Sequence, residues 1–367
     1  MKSALLMKLS LVSAGLLLSV VANTATVSAG AKNNSAQPDS KQQAKHQKTE
    51  AEIAQQLKEL VLKQRTQYGW LGDGTLPLGV RTIKDISYAP SGNDVNQKLD
   101  LYIPSISRMG DGDEEEPGKS NFANVRQNLS RGWPLVVWIH GGGWQSGDKK
   151  GGPFKPLLEA GFAVASINYR LSGTNKWPAQ LDDCRLAMAW LRAHGAEHNL
   201  DTKRISIWGA SAGGQLALML ALTGDSLKPD GKVDSAANDL VAVCDWFGPT
   251  DLCAYLKSDY KSDIGTGMVK ELFGTTGDAL LASAKQASPI NYVNVRKTIP
   301  PLLIMHGKSD KLVLIQESES LVKALNVAGH KDITFEKKSG GHGYPGFGPD
   351  TIADVIQYLK KRSTLSN

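Results

Sequence analysis

The chain has 367 residues, with 42 Lys and Arg against 36 Asp and Glu, for a formal charge of +6. That length suits one large α/β domain or two small ones. The mild positive charge is spread out: Lys149-Lys150 and Lys360-Lys361-Arg362 read as solvated positions with no basic stripe interleaved with aromatics, which argues against a nucleic-acid partner.

In chain order, Lys2, Lys8, the apolar stretch Leu9 to Val21 and Val27-Ser28-Ala29 before Gly30 read as an export signal over residues 1–29. The apolar core is shorter than the roughly 20 residues a spanning helix needs. The mature chain is therefore expected to be secreted or periplasmic, without stable membrane association; an uncleaved membrane anchor is the alternative. No cysteine closely follows the apolar run, which argues against a lipid anchor. Residues 30–48 are polar, with Asn, Ser, Gln and Lys and almost no apolar side chains, and predict a disordered linker.

The catalytic domain is expected over 49–367, since strands and helices alternate through it. Glu50 to Gln64 has apolar residues at Ile53, Leu57, Leu60, Val61 and Leu62, a spacing that suits an amphipathic helix. Ile86-Ser87-Tyr88 and Leu99 to Ile103 predict the first two strands, and an acidic, glycine-rich insertion follows at Gly110 to Gly118. The continuous apolar run Pro134 to Ile139 predicts a buried parallel strand feeding the loop His140-Gly141-Gly142-Gly143-Trp144. Glycines there let backbone N–H groups approach an oxygen that becomes negative in a tetrahedral intermediate. No Gly-Lys-Ser/Thr follows and the glycines lack Gly-x-Gly-x-x-Gly spacing, which argues against a phosphate-binding loop.

Ile205-Ser206-Ile207-Trp208 then runs into Gly209-Ala210-Ser211-Ala212-Gly213, a serine between small residues at a strand-to-helix turn. This is the pattern of a nucleophile elbow, with Gln215 to Leu220 reading as a buried helix behind it. Leu240 to Cys244 predicts the next strand. Between Cys253 and Arg296, helix-like Val269 to Phe273 and Ala279 to Ala282 form the candidate cap over the pocket. Pro301 to Met305 predicts another buried strand, with Asp310 as the first carboxylate after it. Asp251, in Phe247-Gly248-Pro249-Thr250-Asp251, is the alternative acid, and Asp245 a weaker one.

If the chain order is serine, acid, histidine, the late histidines to weigh as base are His330 and His342. His330 lies in the turn between the helical Leu321 to Leu325 and the strand Ile333 to Glu336, where a helix end accounts for it. His342, in the glycine-rich loop Ser339 to Tyr344, can swing an imidazole over a strand edge and is the candidate base. Trp144 and Trp246, beside these loops, are candidate substrate contacts, since a tryptophan at a pocket mouth can stack on sugar or aromatic rings. Trp138 alternates into strand packing. Cys184, Cys244 and Cys253 are expected as three thiols, with a Cys244 to Cys253 bridge the alternative. No Cys-x-x-Cys, His-Glu-x-x-His or metal-ligand spacing occurs, so no metal and no cofactor is expected.

His140 to Trp144 followed by Gly147-Asp148-Lys149, Trp208 to Gly214, Asp245 to Leu252 and the His306-Gly307-Lys308-Ser309-Asp310 turn together resemble the bacterial feruloyl and acetyl-xylan esterase-like family, within the hormone-sensitive-lipase-like group of α/β-hydrolases. The resemblance covers roughly Tyr88 to Lys361. It implies an α/β-hydrolase fold: a mostly parallel eight-stranded sheet with helices on both faces and a small helical cap. It also implies Ser211 as nucleophile, His342 as base and Asp310 as acid, with the N–H groups of Gly142, Gly143 and Ala212 as oxyanion hole.

The activity so implied is hydrolysis of short acyl or hydroxycinnamoyl esters, with a small-molecule or polysaccharide ester as partner. A general carboxylesterase, an arylformamidase, a serine peptidase and a hydrolase fold used only for binding are the alternatives.

Overall fold

In the computed structural model the described residues are 76–365, apart from 91, 93, 105–130, 226–238, 258–261 and 344–345. The export signal and linker (1–48), the helix expected at 50–64 and the acidic insertion at 110–118 lie outside the described residues.

The elements run β1 (Arg81–Ser87), β2 (Lys98–Ile103), β3 (Trp133–Ile139), α1 (Phe154–Glu159), β4 (Ala163–Ile167), α2 (Ala179–His194), β5 (Leu200–Ala210), α3 (Ala212–Thr223), β6 (Ala242–Trp246), α4 (Asp263–Phe273), α5 (Gly277–Gln286), β7 (Leu302–Gly307), α6 (Gln316–Val327), β8 (Ile333–Lys338) and α7 (Pro349–Leu365). The strands form one eight-stranded sheet in the order β1-β2-β4-β3-β5-β6-β7-β8. β2 runs antiparallel to both of its neighbours, and every other pairing is parallel. This is the mostly parallel eight-stranded sheet that the resemblance to α/β-hydrolases implies.

Successive side chains of a strand point to opposite faces, and β3 divides accordingly. Leu135, Val137 and Ile139 join Ile205 and Ile207 in a core shared with Cys184 and Leu191 of α2 and Leu216 of α3. Val136 and Trp138 join Trp208 and Trp246 in a second core with Leu157 of α1 and Val355 of α7. Both faces of the central strands are thus covered, which is why β3 reads as an unbroken apolar run. Trp138 is core, as its alternation predicts. α3 is buried from Ala212 to Leu222, so it has no polar face.

The helix-like segments Val269 to Phe273 and Ala279 to Ala282 fall inside α4 and α5. α4 starts earlier than its apolar residues suggest because Ser262 caps it, accepting a hydrogen bond from the Gly265 N–H at 3.2 Å. It ends at Gly274, whose φ of +60° closes the helix. Among the described residues no helix is long and apolar enough to cross a membrane. Cys184, Cys244 and Cys253 are all free thiols, the first two buried.

The carboxyl ends of the parallel strands β3, β5, β6, β7 and β8 lead into the loops bearing His140, Ser211, Phe247, Asp310 and His342, so five loops meet at one edge of the sheet. At the β1–β2 side, buried Lys149 anchors the loop after β3, its Nζ lying 2.8 Å from both Asp85 and Asp100.

Asp245, near the end of β6, is fully buried. Its Oδ1 accepts the Gly248 N–H at 2.9 Å, and its Oδ2 has no hydrogen-bond partner among the described residues. Burial pushes its carboxyl up to about 7, against the pull of His306 and the Gly248 N–H. Between the ordinary Asp value near 4 and that value, the folded protein holds a proton that the unfolded chain has released. Stability therefore falls as pH rises from about 4 to about 7 and stays lowered above it. Asp245→Asn keeps the acceptor for Gly248 and carries no charge. Urea denaturation should find this variant more stable than the parent by about 2–4 kcal/mol at pH 8, with the gap closing toward pH 4; a gap independent of pH would contradict the assignment.

Candidate active site

Ser211 sits in the turn between β5 and α3 with φ +55° and ψ −121°, a conformation that costs a non-glycine residue about 1–3 kcal/mol. The surroundings hold it there. The Ser211 N–H donates to the Trp246 carbonyl at 2.8 Å, and the Ser211 carbonyl accepts from Gln215 N–H at 3.1 Å. Two residues on, a Cβ at Gly213 would lie 2.1 Å from the Ile139 carbonyl oxygen, so only glycine lets α3 seat this closely against β3.

His342, on the loop after β8, lies with Nε2 2.9 Å from Ser211 Oγ and Nδ1 2.7 Å from Asp310 Oδ2. Because Asp310 is an acceptor, Nδ1 carries the proton and Nε2 presents its lone pair to the serine hydroxyl. The edge of the imidazole packs on Phe247, with ring centroids 4.6 Å apart and planes at 61°.

Asp310 Oδ1 accepts the N–H groups of Leu312 and Val313 at 2.9 and 3.0 Å. Burial pushes this carboxyl up, but His342 and His306 outweigh burial and hold it well below the usual carboxylate range. His306 enters the sequence reading only as the start of the turn before Asp310, with no role of its own. It is fully buried at the end of β7, with Nε2 2.8 Å from the Val313 carbonyl and 3.4 Å from Asp310 Oδ2, and Nδ1 2.7 Å from Ser318 Oγ. Both neighbours of Nε2 are acceptors, so that nitrogen carries a proton. Burial pushes the ring toward its neutral form, but Asp310 and the Val313 carbonyl outweigh it and raise its proton affinity. A histidine at the inner end of a buried strand needs such partners, and that was the available signal.

The alternative acids face other groups. Asp251 Oδ1 accepts the Cys253 N–H at 3.1 Å, and Asp245 is engaged with Gly248. His330 donates from Nε2 to the Val293 carbonyl at 2.8 Å, in keeping with a helix-end role.

The loop after β3 turns back on itself: Gln145 N–H and Ser146 N–H both donate to the Gly142 carbonyl at 3.1 Å. Gly142 and Gly143 have φ of +120° and +60°. His140 braces this loop, stacked on Tyr169 at 4.3 Å with Nδ1 2.7 Å from the Gly141 carbonyl; burial lowers its proton affinity and keeps it neutral. Gly143, Trp144, Ser211 and Ala212 line one small cavity together with Tyr255 and Met268 of the segment between β6 and β7. Leu312 and Val313 complete a wall of apolar character. A Cβ on Gly143 would meet the Met268 sulfur at 2.5 Å, so α4 lies directly on the loop.

Trp144 lines this cavity but is 3% exposed, and its indole N–H is committed to Gln215 Oε1 at 3.1 Å. Trp246 does not reach the cavity, contrary to its expected role as a substrate contact. It is fully buried in the second core, edge-on to Trp208 at 4.7 Å, with its indole N–H 3.2 Å from the Met305 sulfur. Ala242, Cys244 and Trp246 alternate onto one face of β6, and that face meets α7 rather than the loops. Among the described residues no group of three or more His, Cys, Asp and Glu could hold a metal ion.

Chemically, an imidazole with Nδ1–H fixed on a carboxylate and Nε2 on a serine hydroxyl can take the hydroxyl proton as the oxygen attacks an electrophilic carbon.

Comparison with known proteins is consistent with this chemistry. A probable carboxylic ester hydrolase, LipM, of Mycobacterium tuberculosis is 27% identical over 233 residues, covering 62% of this chain and 53% of LipM. The esterase LipQ of the same organism is 28% identical over 233 residues, covering 61% of this chain and 54% of LipQ. The chain thus spans about half the length of the curated relatives it matches. Among solved structures, a truncated carbohydrate esterase from gut microbiota superposes with a TM-score of 0.62 at 27% identity, over 80% of this chain and 99% of that one. Esterase B from Lactobacillus Rhamnosis superposes at 0.65 with 21% identity, over 88% of this chain and 96% of that one, a likeness of the fold alone. The BD-FAE family model matches residues 124–325, more than half of the sequence and inclusive of Ser211 and Asp310, and the chain belongs to the BD-FAE family.

Proposed function

We propose that the protein is an exported serine carboxylic-ester hydrolase that acts on short acyl or hydroxycinnamoyl esters borne by extracellular polysaccharide. The observation that carries the reading is the unbroken hydrogen-bonded chain Asp310–His342–Ser211, with the serine at a strained strand-to-helix turn beside an apolar cavity. In this mechanism His342 Nε2 takes the proton from Ser211 Oγ as that oxygen attacks the ester carbonyl. The N–H groups of Gly142, Gly143 and Ala212 stabilise the oxyanion. His342 then protonates the departing alcohol, and Asp310 holds the imidazole tautomer and stabilises the imidazolium. Water then hydrolyses the acyl-enzyme by the same steps: His342 takes a proton from the attacking water and returns it to Ser211 Oγ as the acid departs.

The carboxylic ester hydrolase LipM supports the reaction class, and the likeness to a carbohydrate esterase supports a sugar-borne ester. The small cavity supports a small acyl group, since Met268 and Tyr255 line it together with Ser211. The N-terminal pattern of Lys2, Lys8, the apolar run and Ala29 supports export.

Replacing Ser211 or His342 by Ala should lower kcat by about 10⁴ to 10⁶, with little further loss in the double variant; losses that multiply in the double variant would contradict a shared role. Asp310→Asn should cost on the order of 10⁴ in kcat, and a larger loss from Asp251→Asn would reassign the acid.

Each methylene buried in an apolar pocket contributes about 0.8 kcal/mol, so an enzyme built for long chains improves as the acyl group lengthens. Here kcat/KM over p-nitrophenyl esters should peak between acetyl and butyryl and fall by octanoyl, with acetate or ferulate released from xylan fragments. A peak at dodecanoyl would overturn the substrate class. Strong short-chain activity without release from polysaccharide would leave a general carboxylesterase.

Sequencing of secreted material should give an N-terminus near Gly30. Recovery of intact residues 1–29 in the membrane fraction would show an anchor instead.

A further inference from the structure

Gln215 lies one turn into α3 from Ser211 and is fully buried. Both ends of its side-chain amide are engaged. Oε1 accepts the Trp144 indole N–H at 3.1 Å, and Nε2 donates to the Ala287 carbonyl at 2.7 Å. Trp144 directly follows Gly142 and Gly143, is 3% exposed, and has φ +61°, a left-handed conformation rare for a bulky side chain. Such a conformation persists only where the surroundings over-determine it. Two bonds do so: the indole to Gln215, and the Ser172 N–H, which donates to the Trp144 carbonyl at 2.8 Å. Ala287 closes α5, in the segment whose neighbouring helix α4 rests Met268 on Gly143.

One amide therefore joins three parts of the edge: the helix that bears the nucleophile, the glycine loop, and the segment over the cavity. Its orientation is fixed, because a flipped amide would set NH₂ against the indole N–H and oxygen against a carbonyl.

We propose that Gln215 is a positioning residue which, through the Trp144 indole, holds the backbone N–H groups of Gly142 and Gly143 in register with Ser211 and ties that loop to the covering segment at Ala287. The inference rests on the ester-hydrolase reading above, in which those N–H groups meet the oxyanion. The oxyanion is absent from the bound ester and develops on the way to the tetrahedral intermediate, so a loosened loop lowers turnover while leaving ground-state binding nearly intact. A residue that merely fills space would alter melting temperature without that split.

The test uses the full chain with p-nitrophenyl acetate and, as a tetrahedral mimic, a phenylboronic acid. Trp144→Phe keeps the ring packing and removes the indole N–H, and Gln215→Met keeps the length and removes both polar ends. Each should lower kcat about 10- to 100-fold, leave KM within about threefold, and weaken boronic acid binding in step with kcat. The double variant should be no worse than Gln215→Met alone, since one tie is removed in both. If Gln215→Met does not fold, Trp144→Phe decides alone, folding being followed by melting temperature. An active parent with kcat unchanged in Trp144→Phe, losses that multiply in the double variant, or a kcat loss without weaker boronic acid binding overturns this inference only. A parent that neither turns over the ester nor reacts with a fluorophosphonate overturns the ester-hydrolase reading and this inference with it.

Discussion

The contact between Gly213 and the carbonyls of Ile139 and His140 is the constraint on which the carboxyl edge of the sheet depends. A methyl group at Gly213 would sit 2.1 Å from one oxygen and 2.6 Å from the other. Without it α3 reaches the end of β3, the chain turns at Ser211 with a positive φ, and the start of the helix comes beside the loop that follows β3. The strain at Ser211 is then offset by the cooperative burial of α3, a helix covered on all sides. A helix so placed needs no amphipathic face, and its stability comes from tertiary packing rather than from propensity.

Burial alone does not set the charge of the carboxyls near this edge; their partners do. Asp245 and Glu317 are both pushed up to about 7 by burial. Asp245 receives a single backbone N–H, and Glu317 receives the N–H groups of Thr250 and Asp251 and the Thr250 hydroxyl, all of them neutral donors. Asp310, buried to a similar degree, has two backbone N–H donors and an imidazole on either side, and its carboxyl is held as an anion. The difference lies in the partners: Asp310 has an imidazole N–H on either side in addition to its two backbone donors, and together these favour the charged form over the cost of burial. The carboxyl that touches His342 is thus the one whose environment keeps it ionised.

What was legible in the sequence was local. The apolar run Pro134 to Ile139, the small residues flanking Ser211 and the glycines around His342 each specify a strand end or turn by themselves, and the fold brings Ser211, His342 and Asp310 into one hydrogen-bonded chain. The helices α4 and α5 were visible only in part, since their starts are fixed by a serine cap and a glycine turn rather than by apolar spacing. Trp246 was misplaced although period-two alternation with Ala242 and Cys244 carried the answer; proximity in sequence to the loop outweighed the face on which the side chain lies. The roles of His306, Gln215 and Met268 were missed because most of their partners lie 7 to 72 residues away or, for Met268, on a loop over a hundred residues upstream, and no local pattern records such contacts.

The first turn of α6 shows how little chain is needed to brace such a site. Side chains at consecutive helical positions point about 100° apart, so Glu317 and Ser318 can serve two different loops from one turn. Glu317 accepts from Thr250 and Asp251, and its own carbonyl accepts the Thr250 hydroxyl at 2.7 Å, fixing the loop that begins at Phe247. Ser318 meets the Nδ1 of His306, whose other nitrogen faces Asp310. Phe247 and Asp310 are two of the neighbours that confine the His342 ring, Phe247 by a T-shaped ring contact and Asp310 at Nδ1. Both restraints on the imidazole therefore lead back to adjacent residues of α6, which brace the loops that carry Phe247 and Asp310.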